Sequence, residues 1–263
     1  MQSQDLLPEV KALSLDLWGT LIRSHPDFKP ARTRMLGQAF GIDSARDAQA
    51  DAAFRSADRQ ADDDAERLGA DVGFVPRVLA MHASAVAAGL SSAPAPDAAS
   101  LAALEAVQSE HVTRFPPQPF SDAVPGLLLA LGDLLPLAVT SNTGMLGGAT
   151  MRRALAANGL LPAFRVLVFS NECGAAKPSP AIFSATVGAL AAVAPQQLGN
   201  PAADHPLTPA QILHVGDNPL ADIAGAKTSG LAAAHVNVEG ATHIDQLLSA
   251  VLTQARARLG ARA

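Results

Sequence analysis

Five short apolar runs, each closing on polar or glycine-containing sequence, set the tightest limit on the fold: "KALSLD" (11–16), "PLAVTSN" (136–142), "RVLVFS" (165–170), "QILHVGD" (211–217) and "LAAAHVNV" (231–238). Runs of this length bury both faces of a strand, and helical stretches between them fit parallel strands with crossover connections. "VPGLLLALGDL" (124–134) carries Leu127, Leu128, Leu131 and Leu134 at helical spacing, with Pro125 in its first turn. "SPAIFSATVGAL" (179–190) and "PLADIAGAKTSG" (219–230) open near a proline, and Gly230 stands where a helix C-cap is expected. The prediction is an α/β chain: a parallel sheet with helices on both faces.

The stretch between the first two strands breaks this rhythm. Residues 24–120 show helical patterns and no convincing strand, flanked and divided by "SHPDFKP", "SSAPAPD" and "FPPQPF". We read an inserted helical domain over 24–118, with a core domain made of 1–23 and 119–263. The acidic stretch "DRQADDDAERLGAD" reads as a solvated helix face or loop. The long connection 194–210 enters the fourth strand at its N-terminal end, away from the side where open parallel sheets bind ligands, and reads as peripheral.

Composition narrows the function classes. Hydrophobic residues make up 49% and charged residues 16%, against about 25% charged in typical soluble proteins, so the chain can build a sizeable core. Its net charge is −5, and its basic residues form no cluster beyond "ARARLGARA" at the end. A nucleic-acid partner is therefore not expected. A single cysteine, Cys173, excludes a disulfide framework and suits a reducing compartment. With no signal-like start and no apolar run of roughly 18 residues, the expectation is a cytoplasmic protein with no membrane partner. Oligomeric state is left open.

The chemistry-bearing residues fall at the ends of the predicted strands. The first ends in Asp16, the second in Ser141-Asn142, and the fourth in "GDNPLAD" with Asp217 and Asp222; Lys177 follows the third. Parallel neighbours would bring these ends to one crevice. Taken singly, each has a plain structural reading: Asp16 as a turn cap, Ser141-Asn142 as turn chemistry, Lys177 as a loop lysine, Asp217 and Asp222 as helix-start residues. Together they make a coherent site. Clustered carboxylates suit Mg²⁺, a carboxylate can attack phosphorus, and a lysine and a hydroxyl can hold phosphoryl oxygens.

In this order the motifs "DLWGTL", "VTSN", "CGAAKPSPAIF" and "ILHVGDNPLADIAGAKTSGL" resemble the haloacid dehalogenase-like hydrolase superfamily over about residues 12–240. The resemblance implies a Rossmann-like core with an inserted α-helical cap domain. It also implies catalytic roles for Asp16 as nucleophile and for Ser141 and Lys177, with Thr20 and Asn142 on the phosphate-binding side. Mg²⁺ would be served by Asp16, the backbone carbonyl of Trp18, Asp217 and Asp222. The expected function is hydrolysis of a small phosphorylated metabolite through an aspartyl-phosphate.

One position departs from the pattern. Phosphatases of this superfamily carry a second Asp where Trp18, the only tryptophan, stands. An indole N–H does not titrate and cannot carry a proton; Trp18 reads instead as packing between core and cap. His25 or Asp27, at the cap entrance, are the candidates to replace the acid. Two alternatives remain open: a phospho-ligand-binding protein of weak or no activity, and a 2-haloacid dehalogenase, whose halide leaving group needs no proton. A phosphonate-cleaving variant would require Lys29 as a Schiff-base lysine, without the apolar pocket that would activate it.

Overall fold

The computed structural model describes residues 10–197, 207–237 and 243–260. Its centre is a parallel sheet of β1 (Ala12–Leu15), β4 (Leu137–Ser141), β5 (Val166–Phe169), β6 (Ile212–Gly216) and β7 (Ala232–His235), in the order β5-β4-β1-β6-β7. These are the five runs read from the sequence, each trimmed at its ends. β1 lies in the middle, pairing Leu13 with Leu137 on one side and with Leu213 on the other. Its C-terminal end therefore opens between the ends of β4 and β6, where the strand order reverses direction.

Alternation of side chains gives the sheet two different faces. Leu13, Leu15, Val139, Leu213 and Val215 pack with Leu128 and Leu131 of α5 (Ala123–Gly132), Met151 and Leu155 of α6 (Gly148–Ala157), and Leu248 and Val251 of α10 (Ile244–Gly260). Ala12, Ala138, Val166 and Ile212 face the other way, against Ile182, Phe183 and Leu190 of α8 (Pro180–Gln197). Ser14, Thr140 and His214 alternate onto this second face and are fully buried there.

Between β1 and β4 the chain forms α1 (Phe28–Ala39), α2 (Asp47–Leu68), α3 (Phe74–Ala87) and α4 (Ala98–Arg114). These helices close over their own apolar cluster, including Leu36, Phe40, Phe54, Phe74, Val78 and Met81. The chain enters and leaves through an antiparallel ribbon, β2 (Ile22–Arg23) with β3 (Gln118–Pro119). β3 lies in a stretch that the sequence reading left without a strand. Its residues bear no β-branched pattern, and pairing with β2 alone makes them extended.

The connection read as 194–210 also differs. α8 runs on to Gln197, a single 3₁₀ turn at Pro209–Gln211 leads into β6, and 198–206 lie outside the described residues. The segment 219–230 opens as a wide π-helical turn, Pro219–Ala224, then α9 (Gly225–Thr228), and Gly230 stops it at φ +81° as expected. Among the described residues no helix is long and apolar enough to cross a membrane.

Candidate active site

Asp16 is the first residue after β1, and its backbone N–H donates to the Val215 carbonyl of β6 at 2.9 Å. The chain then turns tightly, the N–H groups of Leu21 and Ile22 both returning to the Leu17 carbonyl. Gly19 makes this turn at φ +80°, and a Cβ on it would collide with the Asp217 carboxylate. Gly216 is held to glycine similarly, because a Cβ there would run into Asp222. Both glycines let carboxylates approach backbone closely.

The strand ends do converge. One carboxylate oxygen from each of Asp16, Asp217 and Asp222 lies within 4.8 Å of the others. The Lys177 ammonium is buried among them, donating to Asp16 Oδ1 at 2.6 Å and to Asp222 Oδ1 at 2.6 Å. The Thr20 hydroxyl sits between Asp217 Oδ1 at 3.2 Å and Asp16 Oδ2 at 3.4 Å. Asp222 is the most heavily engaged of the three. Its Oδ1 also accepts from His214 Nε2 at 3.1 Å, and its Oδ2 from the Asn218 N–H at 3.0 Å. Ser141 is buried at the cavity wall, its Oγ only 3.4 Å from the Asn142 carbonyl.

Asn142 lines the cavity and is also bonded to the lysine loop. Its Oδ1 accepts from the Lys177 N–H at 2.8 Å and its Nδ2 donates to the Lys177 carbonyl at 3.1 Å. This reciprocal pair pins the lysine loop to β4 and leaves Asn142 at most one Nδ2 hydrogen for a ligand.

Electrostatics separate the groups. Burial pushes Asp16 up to about 7, against the pull of Lys177 and with Asp222 adding to the rise. Asp217 is also raised, by burial and then by Asp222. Burial acts on Asp222 in the same sense, but Lys177 and His214 outweigh it and hold the carboxyl below its ordinary value. Burial lowers Lys177, and Asp16 and Asp222 more than reverse this, so it stays a cation. Burial holds His214 below its ordinary value. Three carboxylates against one ammonium leave surplus negative charge on oxygen donors, the donor set a hard divalent cation takes.

Above the cluster lies a cavity of about 620 Å³ whose far wall is built by the inserted helices. Asp58, Arg59, Asp62, Asp63 and Glu66 of α2 line it, with Lys29 and Arg32 of α1 and Arg77 of α3. Arg77 bonds Asp58 Oδ1 at 2.7 Å and Asp62 Oδ1 at 2.7 Å, while Arg32 bonds the second Asp58 oxygen at 3.0 Å. Four hydrogen bonds tie this wall to the sheet side: Glu66 Oε1 accepts from Asn218 Nδ2 at 2.7 Å, the Gly69 carbonyl from Ala176 N at 3.0 Å, and Asp71 Oδ1 both from Ser170 Oγ, at the start of α7 (Ser170–Cys173), at 2.5 Å and from Thr143 Oγ1 at 3.3 Å.

The family model for haloacid dehalogenase-like hydrolase, a hydrolase family, matches residues 10–230. The chain belongs to this family. Solved structures agree in fold. The magnesium-bound structure of YfnB from Bacillus subtilis superposes with a TM-score of 0.61 at 18% identity, over 93% of this chain and 99% of that one. An HAD phosphatase from Thermococcus onnurineus gives 0.59 at 21%, over 92% and 98%. L-2-haloacid dehalogenase from Xanthobacter autotrophicus, with chloropropionic acid covalently bound, gives 0.54 at 21%, over 86% and 77%. No curated protein matches the sequence.

In this hydrolase the structure gathers Asp16, Trp18, Ser141, Asn142, Lys177, Asp217 and Asp222 around one cavity, with Thr20 bonded to two of the carboxylates. Trp18 is half-buried and packs against the main apolar cluster while lining the cavity. His25 and Asp27 do not line it. They pair with each other at 3.7 Å, and the His25 ring lies 5.7 Å from that of Phe115, so neither is placed to supply the missing acid. Lys29 does line the cavity but is exposed.

The acidic stretch of α2 does more than the sequence reading assigned to it. Read as a solvated helix face or loop, it is a helix whose Asp62 and Asp63 stay exposed, but it also forms a wall of the hydrolase cavity, paired to arginines and bonded to the sheet side. An acidic helix face looks the same in sequence whether water or another domain stands opposite. The only available signal was the excess of acids over bases within one helix.

Proposed function

We propose that the protein is a Mg²⁺-dependent hydrolase of a small phosphorylated metabolite, working through an aspartyl-phosphate on Asp16. The carrying observation is the carboxylate group of Asp16, Asp217 and Asp222 with a single ammonium among them. A cation at this point would be held by Asp16, Asp217 and the Trp18 carbonyl, with Asp222 completing the acidic group while holding Lys177. When bound, Mg²⁺ supplies charge neutralisation and Lewis acidity to the phosphoryl group.

The chain's own residues do the rest. An Asp16 oxygen forms the bond to phosphorus as the bond from phosphorus to the leaving oxygen breaks. Water then attacks phosphorus, and the Asp16–phosphorus bond breaks to free phosphate and the carboxylate. Lys177 meets phosphoryl oxygens as a point charge, and the Ser141 hydroxyl donates to one of them. Asn142 and Asp222 hold Lys177 for this task. Trp18 can shield the site but cannot protonate the departing oxygen. The reading therefore favours substrates that leave without a proton, acyl phosphates above alkyl phosphates. The inserted helices act as the cap that selects the substrate, and the cleft of about 620 Å³ has room for a small molecule.

Trp18 also favours a second reading, a 2-haloacid dehalogenase, since a halide needs no proton. One panel separates the two: acyl phosphates and phosphate esters with Mg²⁺, and chiral 2-haloacids without metal, each beside Asp16→Asn. Mg²⁺-dependent phosphate release lost in Asp16→Asn supports the proposal. Metal-independent halide release would replace it with the second reading. Inertness on every substrate, with vanadate still binding, would leave a ligand-binding protein.

A further inference from the structure

Beneath the site, a run of polar side chains crosses the sheet where an apolar core would serve packing equally well. Thr186 Oγ1 of α8 lies 2.7 Å from Thr140 Oγ1 of β4, which lies 2.9 Å from Ser14 Oγ of β1. Ser14 Oγ lies 2.8 Å from His214 Nδ1 of β6, and His214 Nε2 lies 3.1 Å from Asp222 Oδ1. Every residue in the run is fully buried. The neighbouring positions on the same face, Ala12, Ala138 and Ile212, are apolar. Burying an imidazole and three hydroxyls is costly unless each is paired, and here each is.

Between Thr140 and Asp222 the hydrogens have one consistent arrangement when the imidazole is neutral. An ionised Asp222 carboxylate only accepts, so His214 Nε2 carries the hydrogen and Nδ1 is an acceptor. Ser14 must then donate to Nδ1 and Thr140 to Ser14, while the one hydroxyl hydrogen of Thr186 serves the Ile182 carbonyl at 3.0 Å and reaches Thr140 only by being shared with it. From Thr140 onward the donors point toward Asp222. The oxygen they reach, Asp222 Oδ1, is the same one that accepts from Lys177 Nζ.

We propose that His214 is a positioning residue: held as the Nε2–H tautomer by Ser14, it fixes the Asp222 carboxylate, which in turn places the Lys177 ammonium against Asp16. The proposal deepens the phosphohydrolase reading and takes its kinetic readout from it. His214 touches neither substrate nor the reacting atoms. Its effect passes through Asp222 and falls on the step that Lys177 assists.

The test compares His214→Leu, His214→Gln and Ser14→Ala with the wild type, using acetyl phosphate and p-nitrophenyl phosphate with Mg²⁺. His214→Leu is expected to lower kcat by on the order of 10–100-fold, the usual cost of losing such a supporting partner, with KM changing far less. Ser14→Ala should lower kcat in the same sense by less. His214→Gln, whose amide can still donate to Asp222, should recover most of it. Unchanged kcat per folded molecule in His214→Leu would overturn the proposal. If that variant does not fold, kcat in Ser14→Ala equal to the wild type would do so. Nitrogen-15 resonances of His214 provide an arm independent of turnover, where Nε2–H supports the proposal and Nδ1–H overturns it. If the wild type cleaves neither phosphate, the phosphohydrolase reading fails by itself. The proposal then rests on the resonances and on whether His214→Leu releases the Lys177 ammonium protons to solvent exchange, with retained protection counting against it.

Discussion

The floor and the wall of the cavity are both crowded with charge, yet they handle it in opposite ways. On the floor, three carboxylates share one buried ammonium, which leaves a net negative charge. On the wall, Arg77 and Arg32 meet Asp58 and Asp62 in direct pairs. The floor keeps a surplus that a cation and a phosphoryl group can use, while the wall largely cancels its own charge and holds a shape. On the proposed reading, chemistry falls to the sheet and selection to the helices.

The largest test of that contrast is Asp16→Asn. It should reduce turnover on phosphate substrates by on the order of 10⁴-fold or more, as loss of a nucleophile does, and prevent radiolabelled phosphate from being trapped on the protein. No single wall substitution should approach this. Trp18→Asp tests what the floor lacks. Supplying a positioned acid should raise kcat on alkyl phosphates by a sizeable part of about 10²–10⁴-fold, with acyl phosphates little changed. An equal change on both classes would show that leaving-group protonation is not the missing element.

Stability should separate the regions next. Lys177→Met leaves Asp16 and Asp222 in contact with no cation and should cost about 3–5 kcal/mol in denaturant unfolding of the metal-free protein. Arg77→Met should cost roughly 1–3 kcal/mol, because Arg32 still meets Asp58 and Asp62 is open to water. Equal losses would erase the distinction between floor and wall.

A pH series gives a smaller, graded effect. Asp16 titrates at about 7 in the folded, metal-free protein against an ordinary value of 3.8, so between those limits the folded state holds the extra proton. Its contribution therefore makes stability fall as pH rises from about 4 to about 7 and level off above that. Melting temperatures of wild type and Asp16→Asn, compared in chelator, should diverge in the variant's favour across this window. The smallest effect expected is that of Asp71→Asn, which weakens the bond from Ser170 that ties wall to sheet. It should cost about 1 kcal/mol and speed hydrogen exchange around residues 69–73, with the floor unaffected.

The floor was legible in the sequence because a parallel sheet converts chain order into position. A residue that ends an apolar run must lie at the strand's C-terminal edge, so the order of the runs alone puts Asp16, Ser141 and Asp217 there, with Lys177 in the loop after β5. Finer roles were not legible. Asn142 and Asp222 are the same residues in either reading, but only the observed bonds to the Lys177 backbone and ammonium show them holding that lysine. His214 carries no signal inside an apolar strand, since one buried histidine has no periodicity to reveal its partners on β1, β4 and α8.

The wall was hidden for a related reason. Helical period reports which residues share a face, not what that face meets, and the partners of α2 lie far along the chain in Arg77, Ser170 and Asn218. The sequence by itself determined the strands, their parallel order of ends, and the carboxylates and lysine that meet there, because those follow from short-range hydrophobic patterning. Only the tertiary structure decided that an acidic helix covers the site and that a buried hydroxyl–imidazole run reaches Asp222. Contacts between elements distant in sequence leave no local trace in either one.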